Sequence, residues 1–268
     1  MRDVTLHLAA GSVLDLDPVD LIEVAASVGF DGIGLRLSHD HAVDAVGARR
    51  VEAALAATGL ALHDVEVHRI GSGVDVGVLA DGAARLGAAR LLVVSDLVGD
   101  DALARTEDEL GRVVERCRQV GLAVGLEYMA WTTPDSSDDA VRLARQTGCV
   151  VVLDVLHHTR VGEGADEVRH LVESGRLGWL QLCDAPAQGP GSEPAALVDE
   201  ARHRRLPPGH GELPLLGLVQ QLPDGVAVSV EVQSDDLARG LSVTERVRLL
   251  HDSARAVLRP AHPPNSTG

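Results

Sequence analysis

The chain contains no lysine: all 24 of its basic residues are arginine. That excludes a lysine Schiff base and a Walker-type phosphate-binding lysine. Aromatic residues make up only 1% of the 268 residues, so the core must be built from Val, Leu and Ala; hydrophobic residues still reach 45%, enough for a sizeable interior. Cysteine is scarce too. Cys117, Cys149 and Cys183 are scattered, odd in number and without a C-x-x-C spacing. This argues against a disulfide framework or a zinc knuckle and fits a reducing cytoplasm. There is no apolar run of about 18 residues, and Met1-Arg2-Asp3-Val4 opens directly into a strand, so neither a membrane span nor a secretory leader is expected. Positive charge is in deficit, with 40 acidic residues and a net charge of −16. A nucleic-acid duplex would be repelled by that balance, and Arg202 to Arg205 form the one small basic cluster.

What is present is a rhythm. Short Val/Leu runs alternate with longer amphipathic segments, the pattern of βα units around a parallel sheet. The runs predict eight strands: Val4–Ala9, Gly32–Leu37, Ala61–His68, Arg90–Ser95, Ala123–Glu127, Val150–Asp154, Gly178–Leu182 and Ala227–Glu231. Helices are expected from Asp17-Pro18 to Gly29, then over Asp44–Thr58, Val74–Leu86, Asp101–Val120, Ser137–Gln146, Ala165–Glu173, Leu213–Gln221 and Val243–Leu258. Gly29, Gly59, Gly87, Gly121 and Gly148 each stand just before a strand, at the helix C′ position where positive φ costs glycine little. Eight units in about 250 residues predict an α/β fold of one domain, a (β/α)8 TIM barrel over residues 1–258, with a fraying tail over 259–268. An open doubly wound sheet is the alternative, but no Gly-rich phosphate fingerprint follows the first strand. The long connection Asp184–Glu212 is the lid candidate.

Four consecutive strands deliver an oxygen ligand near their C-terminal ends: Glu127, Asp154, Gln181 and Glu231. Side chains alternate across a strand. On the fifth strand Leu122, Val124 and Leu126 oppose Ala123, Gly125 and Glu127. On the eighth, Val226, Val228, Val230 and Val232 oppose Ala227, Ser229 and Glu231. The bulky faces should meet the helices, turning the small residues and both glutamates inward; the pattern leaves the sixth and seventh strands open. Two carboxylates ~4 Å apart repel by about 4 kcal/mol at an effective dielectric near 20, so protons or a cation must compensate. Three carboxylates and an amide oxygen are hard donors suited to one divalent ion, Mn2+ or Mg2+, with Co2+ tolerated. The competing reading is four ordinary polar strand ends facing solvent. Arg36, on the face of Gly32 and Gly34, and Arg69, after the third strand, are candidates to bind a substrate carboxylate; a surface ion pair is the alternative for each.

These residues resemble the xylose-isomerase-like barrel superfamily, and within it the sugar phosphate isomerase/epimerase group. That group places a Glu, an Asp, a His or Gln, and a Glu on strands five to eight, and Glu127, Asp154, Gln181 and Glu231 match it. Asp154-Val155-Leu156-His157 is similar to the family's Asp-x-x-His motif. Leu177 to Pro186 resembles the corresponding run of hydroxypyruvate isomerases, and Pro208-Gly209-His210-Gly211-Glu212-Leu213 resembles the family's Pro-Gly-x-Gly-Glu segment. The resemblance covers nearly the whole chain. Many epimerases of the group carry His where Gln181 stands; Gln there is similar to hydroxypyruvate isomerases and bacterial 3-dehydroshikimate dehydratases.

The resemblance implies proton transfer α to a carbonyl through a metal-stabilised enediolate on a small hydroxy-carbonyl substrate. Glu127 and Glu231 would be both ligands and the proton-shuttling pair, and His157 an electrophile or acid unless it is a plain loop histidine. His210 and Glu212 are candidates to close over the substrate, against the simpler role of helix capping for Glu212. The alternative activity is a metal-dependent dehydratase of a cyclic polyhydroxy ketone such as 3-dehydroshikimate or an inosose. An abasic-site nuclease of the same superfamily would need more histidine ligands and a basic face, and a vestigial binding barrel would not keep all four ligands. The expected partner is a small carbohydrate-like molecule, with no nucleic acid and no membrane; a homodimer fits such barrels.

Overall fold

The computed structural model describes residues 4–37 and 45–259. Each βα unit begins as local chemistry dictates. The carboxylate of Asp17 accepts from Val19 N at 2.9 Å, and Pro18 opens the first turn of α1 (Pro18–Val28). Gly29 then takes φ 105° and ends the helix. The other four glycines expected at helix ends also have positive φ.

The strands are β1 (Thr5–Leu8), β2 (Gly32–Arg36), β3 (Ala61–Ile70), β4 (Arg90–Ser95), β5 (Ala123–Glu127), β6 (Val150–Asp154), β7 (Leu177–Leu182) and β8 (Ala227–Val230). All neighbours are parallel, and β8 pairs back on β1 through Thr5↔Ala227 to Leu8↔Val230, closing the barrel. Outside it run α2 (Ala45–Thr58), α3 (Val76–Arg85), α4 (Ala102–Gln119), α5 (Ser137–Thr147), α6 (Val155–Arg160), α7 (Ala165–Glu173), α8 (Pro194–His203), α9 (Leu215–Gln220), α10 (Asp235–Gly240) and α11 (Val243–Leu258). The expected start of α2 at Asp44 and the expected tail beyond residue 259 lie outside the described residues. Among the described residues no helix is long and apolar enough to cross a membrane.

Four differences from the sequence expectation bear on the site. The third strand runs to Ile70 rather than ending at His68. The eighth stops at Val230, so Glu231 lies just beyond the ladder. A short helix, α6, starts directly after Asp154, because the Asp154 side chain caps it by accepting from Leu156 N (2.8 Å) and His157 N (3.1 Å). The Asp184–Glu212 connection holds α8 and is tied down at both ends. Asp184 pairs with Leu206 in an antiparallel bridge, and its carboxylate accepts from Ala185, Gly209 and Leu213 N at 2.8 to 3.0 Å.

The predicted parity holds on β5 and β8. Val124, Leu126, Val228 and Val230 join the large core between barrel and helices, whereas Ala227 belongs to a separate interior cluster with Leu92, Val152 and Trp179. Trp179 explains Gly125: a Cβ there would stand 2.1 Å from the indole Cη2. Val152 and Trp179 inside the barrel resolve β6 and β7, since Asp154 and Gln181 lie two residues further on the same faces. Below Trp179 the barrel floor is polar. His7 stacks on His63 with ring centroids 4.1 Å apart, and Arg90 donates to His63 Nδ1 at 3.1 Å while lying over the Trp179 ring.

Candidate metal centre

Glu127, Asp154 and His157 each present a ligand atom within 4.8 Å of the others, and all three are buried. Glu127 ends β5 and Asp154 ends β6. His157 is carried inward by the first turn of α6, three residues on, with Nε2 3.6 Å from Glu127 Oε1. The capping that creates α6 therefore also aims the histidine. Gln181, next to last in β7, lies beside Asp154 in register, is 1% exposed, and its Oε1 has no hydrogen-bond partner among the described residues. Glu231 follows β8 and is also buried; its Oε1 accepts from Gln233 Nε2 at 3.2 Å. Gly11 makes room for it, since a Cβ there would lie 2.6 Å from that oxygen.

A sixth residue completes the cluster. Arg205, 2% exposed, enters from the segment after α8. Its Nη1 donates to Asp154 Oδ2 at 2.5 Å and lies 3.7 Å from Glu231 Oε2. Its Nη2 donates to His157 Nε2 at 3.2 Å. Arginine offers no acceptor, so Nε2 is the accepting nitrogen and the proton of neutral His157 sits on Nδ1. The strand-like pairing of Arg204 and Arg205 with Gln233 and Ser234 holds this side chain in place. The sequence marked Arg205 only as part of a basic cluster; its burial comes from the fold of the connection.

Charge in the cluster follows from burial and neighbours. Burial, with Asp154 and Glu231 nearby, pushes the Glu127 carboxyl well above its usual range. Burial likewise pushes Glu231 up to about 7, against the pull of Arg205. Burial also works against the Asp154 charge, but Arg205 and His157 overcome it and hold Asp154 below the ordinary value. His157 is depressed to about 4, by burial first and by Arg205 second, with Asp154 opposing.

The remaining residues singled out from the sequence separate. Arg36 stands at the end of β2 and donates to Glu66 Oε2 at 2.9 Å. Arg69 instead pairs with Asp96, both more than a third exposed. His210 is exposed and meets Ser253 on α11 at 3.3 Å. Glu212 is exposed and accepts from Ala187 N at 3.1 Å, bracing the connection. These contacts of Arg69, His210 and Glu212 lead away from the carboxylate cluster. His158 bonds Tyr128 Oη at 2.7 Å and the Gly164 carbonyl at 2.9 Å, a structural role. Cys183 is wholly buried, and burial raises its thiol far above the ordinary value, so it is no nucleophile.

Three carboxylates face one buried guanidinium, and a buried amide oxygen at the same mouth has no donor. Among the described residues, Glu127, Asp154 and His157 are grouped closely enough to ligate a metal ion, and Gln181 and Glu231 stand at the same mouth.

Several known proteins share this architecture. A 3-dehydroshikimate dehydratase from Pseudomonas aeruginosa is 28% identical over 131 residues, 47% of this chain; the match spans 19% of that relative's length. A crystal structure of an IOLI protein with a bound zinc atom superposes with a TM-score of 0.80 at 14% identity, covering 96% of this chain and 98% of that one. A D-psicose 3-epimerase from Clostridium cellulolyticum H10, solved with D-tagatose, gives 0.73 at 15% identity, covering 97% and 100%. Those two likenesses concern the fold. The sequence itself matches the family described as "Xylose isomerase-like TIM barrel" over residues 22–258. With its closed eight-stranded barrel and the Glu127, Asp154 and His157 cluster at the strand ends, the chain belongs to the xylose isomerase-like TIM barrel family.

Proposed function

We propose that this protein is a divalent-metal-dependent isomerase or epimerase of a small hydroxy-carbonyl compound, a keto or aldo sugar or a hydroxy-keto acid. The observation that carries the reading is the convergence of buried Glu127, Asp154 and His157 at the C-terminal mouth of the barrel, where active sites of this fold lie. When bound, Mn2+ or Mg2+ supplies Lewis-acid polarisation of a substrate carbonyl and its neighbouring hydroxyl.

The chain's own residues do the rest. Glu127 and Glu231 come from β5 and from the end of β8, so they approach a substrate from different sides. One, ionised, takes the proton α to the carbonyl; the other, protonated, delivers its own proton to the adjacent or same carbon, and with Asp154 and Gln181 the two would also hold the cation. Without a cation, burial raises both carboxyls, the direction that eases uptake of a proton. Arg205 presents its guanidinium to the developing oxyanion, and His157, whose Nε2 accepts from Arg205, holds that side chain in place. Burial of all six residues keeps bulk water from the proton transfer.

A second reading, dehydration of a cyclic polyhydroxy ketone, has its own support: the 28% identity to a 3-dehydroshikimate dehydratase and the glutamine at position 181. There one glutamate takes the proton as before, and the other, protonated, gives its proton to the β-hydroxyl, which leaves as water.

The test is metal content of the purified protein, with turnover of hydroxypyruvate, D-psicose and 3-dehydroshikimate after chelation and return of Mn2+ or Mg2+. One equivalent of metal, and turnover abolished by chelation and by Glu127→Gln, supports the reading; the substrate turned over separates isomerase from lyase. A protein that binds no divalent metal loses both.

A further inference from the structure

β3 carries two carboxylates that the proposed reaction does not use. Asp64 and Glu66 are 1% and 0% exposed. Strand register places Gly34 beside Asp64 and Arg36 beside Glu66, and the contacts agree: a Cβ on Gly34 would lie 3.1 Å from Asp64 Oδ1, and Arg36 Nη2 donates to Glu66 Oε2 at 2.9 Å. These residues therefore face the barrel interior, on the wall away from β6 and β7. Glu66 stands at the same mouth as the metal cluster, because its register partner Arg36 ends β2 as Glu127 ends β5 and Asp154 ends β6, all parallel. Glu66 Oε1 is buried and has no hydrogen-bond partner among the described residues; Asp64 Oδ1 is in the same condition.

An unpartnered buried acceptor calls for a donor. A ligand hydroxyl can donate to Glu66 and accept from Arg36 at once, whereas a ligand carboxylate only accepts. Arg36 is also not a free cation, since Glu66 already neutralises it at contact distance. An acidic ligand reaching for Arg36 would bring its charge beside the open oxygen of Glu66. The wider balance points the same way. Glu66, Glu127, Asp154 and Glu231 carry up to four negative charges, which Arg36, Arg205 and one divalent cation offset. A neutral ligand leaves that balance intact.

We infer that the Arg36–Glu66 pair is a specificity device at the distal side of the chamber, selecting an uncharged polyhydroxylated substrate, by a pair of hydroxyls, over carboxylated or phosphorylated ones. The inference rests on the metal-dependent reading above and narrows its substrate class. It reverses the expectation that Arg36 grips a substrate carboxylate.

Two cyclohexane polyols test it: myo-inositol, uncharged, and quinate, which carries a carboxylate. Equilibrium binding to the full chain in excess Mg2+ is read by titration calorimetry and by saturation-transfer NMR. The wild type binds myo-inositol at least about tenfold more tightly than quinate. Glu66→Gln frees the Arg36 charge and narrows or inverts that ratio. Arg36→Gln, at the open end of β2, widens it, which keeps the test available if the buried substitution fails to fold. Quinate binding as tightly as myo-inositol in the wild type overturns the inference. So does a ratio indifferent to both variants, or no binding of either ring below about 10 mM. Binding does not require turnover. A ratio that behaves as stated in a protein without isomerase or dehydratase activity sinks the proposed reaction and leaves the selectivity standing.

Discussion

Arg205 Nη1 donates to Asp154 Oδ2 at 2.5 Å, with side-chain exposures of 2% and 0%. This buried ion pair links the connection after β7 to the end of β6, and the same guanidinium touches His157 and approaches Glu231. A fixed cation thus stands among the residues proposed to hold a mobile one.

Removing that cation exposes the relationship. Arg205→Met leaves a buried carboxylate uncompensated, a loss of about 3–5 kcal/mol. Denaturant unfolding of the chelated variant should show it. Added Mn2+ should recover part of the loss, because a cation again faces Asp154. Equal losses with and without Mn2+ would mean that Arg205 acts through packing alone.

Gln181 offers the opposite case. Its buried Oε1 has no hydrogen-bond partner among the described residues, so Gln181→Met, similar in volume, should cost less than about 1 kcal/mol of stability. Divalent-metal affinity should fall by roughly tenfold or more, as one oxygen ligand is lost. Unchanged affinity by metal titration removes Gln181 from the ligand set.

Gly125 is a packing constraint inside the barrel. Gly125→Ala drives a methyl into Trp179, and overpacking of this kind costs about 1–3 kcal/mol. Shrinking the partner should relieve it: Gly125→Ala with Trp179→Leu should lose less than the two single losses added, in a thermodynamic double-mutant cycle. Strict additivity would show that the two do not collide.

The barrel floor sets a pH dependence. Burial depresses His7 to about 4 and His63 to about 2, both from an ordinary value of 6.5. Below 6.5 the unfolded chain therefore takes up protons that the folded chain refuses. Stability is whole above pH 6.5 and falls as pH drops toward 4, by at most about 1.4 kcal/mol per pH unit for each histidine. His7→Gln should flatten the curve of unfolding free energy between pH 6.5 and 4. A curve parallel to the wild type would assign the acid loss to other groups.

Much of this protein is legible in its local sequence pattern. Val/Leu alternation with glycine at five helix ends marks eight βα units, because strand and helix periods and positive φ are local properties of the chain. The inward turn of Glu127 and Glu231 follows as well, since the bulky residues of β5 and β8 fall on one parity and the small ones on the other. The sixth and seventh strands lack that contrast. Their orientation is decided by Trp179, whose indole fills the space that Gly125 leaves, a contact between strands far apart in sequence.

What the amino-acid order alone determined is the barrel and the four polar residues, Glu127, Asp154, Gln181 and Glu231, at its strand ends. Only the tertiary structure decided which charges face them. Arg205 looked like one of a surface cluster, and Arg36 like either a carboxylate-binding group or half of a surface ion pair. Closure of the connection buries the first against Asp154, and strand register delivers the second to Glu66. Ion pairing depends on distance in space and on burial, and neither is written in the local pattern of a chain.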